Sequence, residues 1–438
     1  MENPQPGNPI DPCNLIDPNF SATLPPDIGT IETSLQTANG RICVGSAYVD
    51  ETPHYALFRL KDNGDLDTTF GTGGITTGSF GRTQSLAYSV TELEEGSLLV
   101  IGLTSHGSYF IDGAPALARF DANGKLDRDF GDEGHLIITP PAAWRDKQPA
   151  GEALEKERLQ ETMQQEQGSP LSAKLLKSAG SVKILVLANA YQSNSVLMKF
   201  NEDGSVDTGF GHQGYTELPA PEGKWLYSLN LHASDEGILV CARIYNDVLP
   251  DGSCVVSLTS DGKLDKTFGT GGVAKFPTTL KRVENFLVLP HADRIIGCGA
   301  DEEGNGLLVA LTSKGVDDEA FQSIPLKRGK GLVWNQLAAF PPKLADSRIL
   351  AAGLMISKTG LPMLLGRFHA NGKLDVSFAE NGAGSINYVD MVGTAARRLE
   401  IDNSGKALVH CMSTAQSSLN VGSLIRCLTE VTSITHER

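Results

Sequence analysis

Nowhere do the 438 residues hold an uninterrupted apolar run near the roughly 18 residues that a bilayer-crossing helix requires. No membrane span is therefore expected. Positive charge is scarce as well: 37 Lys and Arg against 52 Asp and Glu give a formal net charge of −15. Phosphate recognition needs clustered cations. The densest basic spot, "LKRGKG" at 326–331, is too short to supply them, so a nucleic-acid partner or an anionic membrane surface is not expected. The seven cysteines are odd in number and lack a CxxC pair, which argues against a disulfide framework and against a zinc site. Free, mostly buried thiols in a reducing compartment are expected instead. The opening "MENPQPGNPIDPCN" has neither a basic n-region nor an apolar h-region. We therefore expect a cytoplasmic location, with export by a signal-independent route as the alternative.

Catalytic signatures are missing too. The sequence has no HExxH, GxSxG, P-loop or GxGxxG, the patterns that would point to metalloprotease, hydrolase or nucleotide chemistry. "GTGGIT" and "GTGGVA" are turns with the wrong spacing to cradle phosphate. The histidines show no metal-ligand spacing; His135 and His212, just behind turn glycines, are the pair that could meet at one rim. No cofactor and no metal are expected. An enzyme is not excluded, because a site assembled from distant loops leaves no local signature.

What the chain has in plenty is glycine, 47 residues of it, and repetition. Strand-like runs of small and β-branched residues begin at Gly40, Gly96, Gly180, Gly237, Asp293, Ser347 and Gly405. The spacing is roughly 54–58 residues, except for one longer interval, and about fifty residues per four-stranded unit is the size of a propeller blade. Each such run is followed by a second apolar strand, a Gly turn and an Asp-x-x-Phe corner. Examples are "LFRLKDNGDLDTTFG" from Leu57, "LARFDANGKLDRDFG" from Leu117 and "LMKFNEDGSVDTGFG" from Leu197. Further copies run "VVSLTSDGKLDKTFG" from Val255 and "LGRFHANGKLDVSFA" from Leu365, with a worn one, "LVALTSKGVDDEAF", from Leu308.

These motifs predict an all-β fold: a single seven-bladed β-propeller of four-stranded antiparallel blades spanning residues 1–438. The seventh corner is "NLIDPNFS", where Asp17 precedes Phe20 by three and Asn14 takes the Gly position. Asn is the best substitute where φ must be positive. Its matching strand is "LIRCL" at 424–428, so the last blade should be closed by N- and C-terminal segments, which removes open edge strands. The "G-x-L-D-x-x-F-G" core resembles the delta-60 repeat of bacterial proteins thought to be β-propellers. That resemblance implies the fold and carries no catalytic residue with it.

Physically, the motif reads as structure. Asp17, Asp67, Asp127, Asp207, Asp265, Asp318 and Asp375 can accept backbone N–H groups two or three residues on. Phe20, Phe70, Phe130, Phe210, Phe268, Phe321 and Phe378 then serve as apolar plugs between sheets. Arg59, Arg119, Arg367 and Arg426 stand opposite the Asp, positioned for a cross-strand ion pair. A Ca²⁺ site would need six to eight oxygens, whereas each loop offers two or three from side chains. The turns are therefore read as structural.

Function should sit where the repeat breaks. Residues 138–179 form the largest interruption, and "GEALEKERLQETMQQEQ" within them predicts an exposed helical insertion. Trp144, Trp225 and Trp334 fall outside the motif and are the candidate ligand-binding side chains, since loop aromatics stack on sugars or anchor partners. The leading expectation is a monomeric, non-enzymatic scaffold that binds a protein or peptide partner on its loop face. The alternative is a carbohydrate-acting enzyme or lectin with its site in a central funnel.

Overall fold

A computed structural model describes residues 9–430, apart from residues 26 and 359 and segments 94–95, 107–113, 139–170, 179–180, 190–193, 247–248, 290–291, 341–347, 389–390 and 416–419. Among the described residues every regular element is a strand, as β-branched and small runs broken by glycine turns should give. The strands pair into seven sheets.

A two-residue β1 (Pro9–Ile10) opens the chain. The first sheet runs in the order β2 (Ile28–Thr37), β3 (Gly40–Val49), β4 (Thr52–Leu60), β5 (Ile75–Gly78). The second is β6 (Gln84–Glu92), β7 (Leu98–Ser105), β8 (Ala114–Phe120), β9 (His135–Ile137). The third is β10 (Leu171–Ser178), β11 (Ser181–Ala188), β12 (Val196–Asn201), β13 (Tyr215–Glu217). The fourth is β14 (Trp225–Ser234), β15 (Gly237–Asn246), β16 (Leu249–Leu258), β17 (Val273–Lys275). The fifth has three strands, β18 (Arg282–Leu289), β19 (Arg294–Ala300) and β20 (Gly306–Thr312). The sixth is β21 (Gly331–Ala339), β22 (Ile349–Ile356), β23 (Met363–Phe368), β24 (Ala383–Tyr388), with β1 added at its edge. The seventh is β25 (Met391–Ile401), β26 (Ala407–Ala415), β27 (Asn420–Cys427). The fold class is all-β, a seven-bladed propeller.

Three details differ from the expectation of uniform four-stranded blades. The fifth sheet lacks a fourth strand, and among the described residues the Gly306–Leu326 bridge stands in its place. This is the worn repeat, where Gln322 replaces the glycine that would turn the chain back. The seventh sheet also stops at three strands, because its corner arrives from the other end of the chain. Third, the expected insertion is shorter than 138–179. Residues 171–178 form β10, paired residue for residue with β11 from Leu171–Ala188 to Ser178–Ser181. The charged segment expected to be helical lies outside the described residues.

The chain divides into two compact units, one of Met1–Glu32, Leu60–Leu66 and Ala274–Arg438, the other of Thr33–Arg59 and Asp67–Val273. In the first, Leu15, Leu365, Phe378, Ile386 and Val409 share one buried cluster. In the second, Val44, Leu57, Phe70, Val100 and Phe120 share another. These side chains alternate with residues of the opposite face, the period-2 signature of packed sheets. All seven cysteines are free thiols, and all but Cys13 are buried.

Candidate functional site

The seven corners share one design. Each Asp accepts, through Oδ1, the backbone N–H two residues on, at 3.0–3.3 Å. Each corner Phe N–H donates to the Asp carbonyl at 3.0–3.2 Å. The other carboxylate oxygen takes a cation: Arg59–Asp67 at 2.7 Å, Arg119–Asp127 at 2.6 Å, Arg367–Asp375 at 2.8 Å and Arg426–Asp17 at 2.8 Å. These are the pairs expected from the sequence. The same cation lies over the corner Phe ring, between 4.6 Å for Arg426 and Phe20 and 6.0 Å for Arg294 and Phe321. A guanidinium held between a carboxylate and a ring has both its charge and its flat face satisfied.

Where the sequence offers no Arg, the structure finds a substitute. Asp207 takes Lys183 at 3.3 Å and Lys199 at 3.8 Å. Asp265 takes the Ser257 hydroxyl at 3.4 Å. Asp318 pairs with Arg294, which belongs to β19 rather than to the Ala310 position on β20. The carboxylates of Asp17, Asp67, Asp127, Asp265 and Asp375 are held low by these bonds. For Asp67, the Thr69 hydroxyl acts first and Arg59 further down, taking it to about 2 against the pull of burial. Both Asp oxygens are thus committed within the corner, which supports the structural reading of the turns. Among the described residues no group of three or more His, Cys, Asp or Glu is placed to hold a metal ion.

The corner also reaches the next repeat. Arg59 donates from Nη1 to Ala122 O at 3.1 Å, and Gly71 N–H donates to Asn123 O at 2.8 Å. Phe70 lies against Gly124, where an added Cβ would sit 2.4 Å from the ring at a φ of +80°. A side chain there would meet the plug and the backbone strain together. The motif is a latch between consecutive blades, and the glycine is the surface on which it closes.

The leading strands of the sheets carry a second recurring feature that differs in every copy. A β-bulge inserts one extra residue at the same register in five of them: Tyr88 in β6, Leu229 in β14, Glu284 in β18, Asn335 in β21 and Arg397 in β25. The bulge lets residues three apart share one buried side, as Val283 with Phe286 and Trp334 with Leu337 do. Bulges re-aim side chains and recur beside functional sites.

In the first unit the bulge residues and their neighbours form a polar row. Asn285 Nδ2 donates to Gln336 Oε1 at 3.0 Å, Asn335 Nδ2 to Ala396 O at 3.0 Å, and Arg397 lies 3.4 Å from Glu32. Glu284 receives Arg282 at 2.8 Å with only 8% of its side chain exposed. Carboxylate, amide and guanidinium groups thus follow one another along β18, β21 and β25. Together they hold oriented donors and acceptors in a setting that is buried at Asn335 and half-buried at the others, where hydrogen bonds weigh more than in bulk water.

The sequence-predicted aromatics fall elsewhere. Trp334 is wholly buried, edge-on to Phe368 at 5.8 Å, and packs within the core of its sheets. Trp225 is half-buried and stacks on Tyr245 at 4.4 Å and 14°. Trp144 lies outside the described residues. The two histidines are engaged separately: His135 Nε2 meets the Tyr55 hydroxyl at 3.1 Å, and His212 packs edge-on to Tyr215 at 5.7 Å. Burial pushes the Tyr55 hydroxyl up to about 12 and pulls His135 down. Sequence reading missed Arg294 and the whole bulge row. The available signal for the row was a break in strand alternation, two residues set between apolar ones three apart.

Residues 37–70 and 183–210 match the family described as "Domain of unknown function (DUF5122) beta-propeller". Both matched segments end on a corner Phe, so the match covers second strands and latches. No curated protein matches the chain in sequence. Among solved structures, the PL25 polysaccharide lyase "Ulvanlyase bound to -[GlcA(1-4)Rha3S]-" has a TM-score of 0.50 at 10% identity, covering 96% of this chain and 95% of its own. A protein of unknown function from Dyadobacter fermentans DSM 18053 has a TM-score of 0.43 at 12% identity, covering 86% and 98%. The Hadza microbial sialidase Hz136 has a TM-score of 0.43 at 10% identity, covering 77% of this chain, which spans 64% of the sialidase. The likeness to the lyase is one of fold: a β-propeller relationship, with no residue roles attached.

Proposed function

We propose that this propeller recognises a saccharide at the bulges of β18, β21 and β25. The observation that carries the reading is the polar row of Glu284, Asn285, Asn335, Gln336 and Arg397 with Glu32. Vicinal sugar hydroxyls pair with planar amides, carboxylates and guanidinium groups, which both donate and accept in fixed directions. Taken by itself, the second unit offers the half-buried Trp225, an aromatic face of the kind that packs on sugar rings. The lyase of like fold is bound to -[GlcA(1-4)Rha3S]-, which brings this ligand class into view without assigning it. The repeat is read, in the same proposal, as of the delta-60 kind, in a cytoplasmic monomer.

The test is a glycan array followed by titration calorimetry, with reducing-end release measured in parallel to detect turnover. Gln336→Ala and Asn285→Ala should each weaken the retained saccharide about tenfold, the loss of one hydrogen bond worth about 1.4 kcal/mol. If the wild-type chain retains no glycan, neutral or uronate-bearing, the reading fails. A protein-binding platform is the second reading. It is favoured by Ile324 and Val376 of the first unit, apolar side chains exposed at 79% and 66% that a partner would cover. Ile324→Asp and Val376→Asp should then abolish partner capture while leaving glycan retention intact.

A further inference from the structure

The corner of the seventh sheet is not continuous with the strand it latches. Leu428 N–H donates to Leu15 O at 2.6 Å and Asp17 N–H to Arg426 O at 2.8 Å. Ile16 bridges Cys427. Leu15 is wholly buried, Phe20 is 8% exposed beneath Arg426 at 4.6 Å, and the Asp17 carboxylate takes both Arg426 at 2.8 Å and Lys406 at 2.6 Å. Arg426 Nη1 goes on to Asp62 O at 3.1 Å, completing the latch onto the first repeat. Residues 15–20 therefore occupy a socket with three requirements: an apolar residue, an Asp two positions later, and a Phe three beyond that. In chemical terms the segment is a bound peptide that happens to be tethered.

The tether differs from that of the latches that are followed by a fourth strand of their own sheet. After Phe70 or Phe378 the chain turns back into the same sheet as β5 or β24. After Phe20 the described residues form no strand until β2, which belongs to another sheet. Pro25 stiffens this stretch, and the exposed Asp27 holds a left-handed φ of 62°, a backbone state that costs energy outside glycine. The socket requires only the side chains it receives, whichever chain supplies them. We infer that a second copy of this chain can fill it, so that two copies exchange residues 15–20 and close each other's seventh sheet. Tethering gives the resident segment an effective concentration on the order of millimolar, so the monomer prevails when dilute and exchange appears on refolding at high concentration.

Charge reversal of the full chain tests this directly. Asp17→Arg sets two or more cations against each other, and Arg426→Asp sets two carboxylates, so neither variant closes its own socket. In an exchanged pair the reversed segment of the first variant meets the reversed socket of the second, and opposite charges face each other again. The unaltered Asp17 of the second variant meets the unaltered Arg426 of the first, so both sockets are restored. Unfolding and refolding the two variants together should give at least tenfold more dimer by size exclusion than either gives alone. In parallel, wild-type chains bearing donor and acceptor dyes should show energy transfer that rises with the concentration at refolding. A mixture that behaves as the sum of its parts, together with wild-type refolding that stays monomeric at every concentration, overturns the inference.

Discussion

Seven corners in this molecule repeat one geometry, while five bulges at one register of the leading strands carry Tyr, Leu, Glu, Asn and Arg. Both features recur from blade to blade, and both are held by hydrogen bonds. The difference is in what their surroundings permit. At a corner, Asp, cation, Phe and the next repeat's glycine each satisfy another member of the set, so a change in one strands the others. Where the cation moved, as at Asp318, another strand supplied it. At a bulge the extra residue is released from the ladder, and the fold requires only that the flanking residues three apart be apolar or small. Uniformity therefore marks what builds the blades, and variety marks where this chain was free to acquire a specific chemistry.

The largest effect should come from a plug. Phe378 is fully buried beneath the Arg367 guanidinium, and Phe378→Ala should cost about 3–5 kcal/mol, read as a fall in the denaturation midpoint. A loss under about 1 kcal/mol would remove the corner from the structural side of the comparison. Gly124→Ala should follow. It combines a left-handed φ of +80° with a Cβ 2.4 Å from the Phe70 ring, at a cost of about 2–4 kcal/mol. Thermal unfolding of the variant measures it, and a neutral result would mean that the latch yields at the glycine.

Acid should weaken the corners in a defined window. Burial works to raise the Asp17 carboxyl, but bonds from Lys406, the Asn19 N–H and Arg426 bring it from 3.8 to about 2. A carboxyl whose folded value lies below its unfolded one stabilises fully above the unfolded value, and that contribution is lost as pH falls through the folded value. Between about pH 4 and pH 2 the wild type should lose about 2 kcal/mol from this residue alone. Asp17→Asn should lose a similar amount at pH 7 and show a flatter stability curve in the acid window. If its curve instead parallels the wild type, Asp17 is not the group that holds the closing corner.

Much of this was legible in the sequence, for physical reasons. Gly, Asp and Phe at fixed spacing encode a turn whose defining backbone hydrogen bonds are local, and Asn14 could be recognised because a φ of 52° suits few other residues. Arg59, Arg119 and Arg367 were readable because cation and Asp sit across one hairpin, and Arg426 because its strand repeats theirs. Arg294 was not, since it reaches Asp318 from the neighbouring strand, at the offset by which Lys183 reaches Asp207 and not across the hairpin. β10 was hidden because "LSAKLLKS" adjoins a helix-favouring charged stretch and only its pairing with β11 gives it strand character. The bulge row left a trace in "VENF" and "WNQL", polar pairs between apolar residues. Which chemistry gathers there depends on neighbours some fifty residues away, as Asn285 and Gln336 show.

The smallest stability effect is expected at that pair, and it is the sharpest test of the comparison. Gln336 accepts one hydrogen bond, from Asn285 Nδ2 at 3.0 Å, and both side chains are half-buried. Gln336→Ala removes the acceptor but leaves Asn285 able to find water, so the loss should be about 0.5–1.5 kcal/mol rather than the cost of a sealed, unsatisfied group. In a double-mutant cycle with Asn285→Ala, the coupling should account for most of that loss, since each residue is the other's partner across the two strands. Saccharide affinity should meanwhile fall about tenfold, a larger fractional effect than on folding. Were Gln336→Ala to cost as much as Phe378→Ala, the bulge would be as structural as the corner, and variety along the leading strands would no longer point to function.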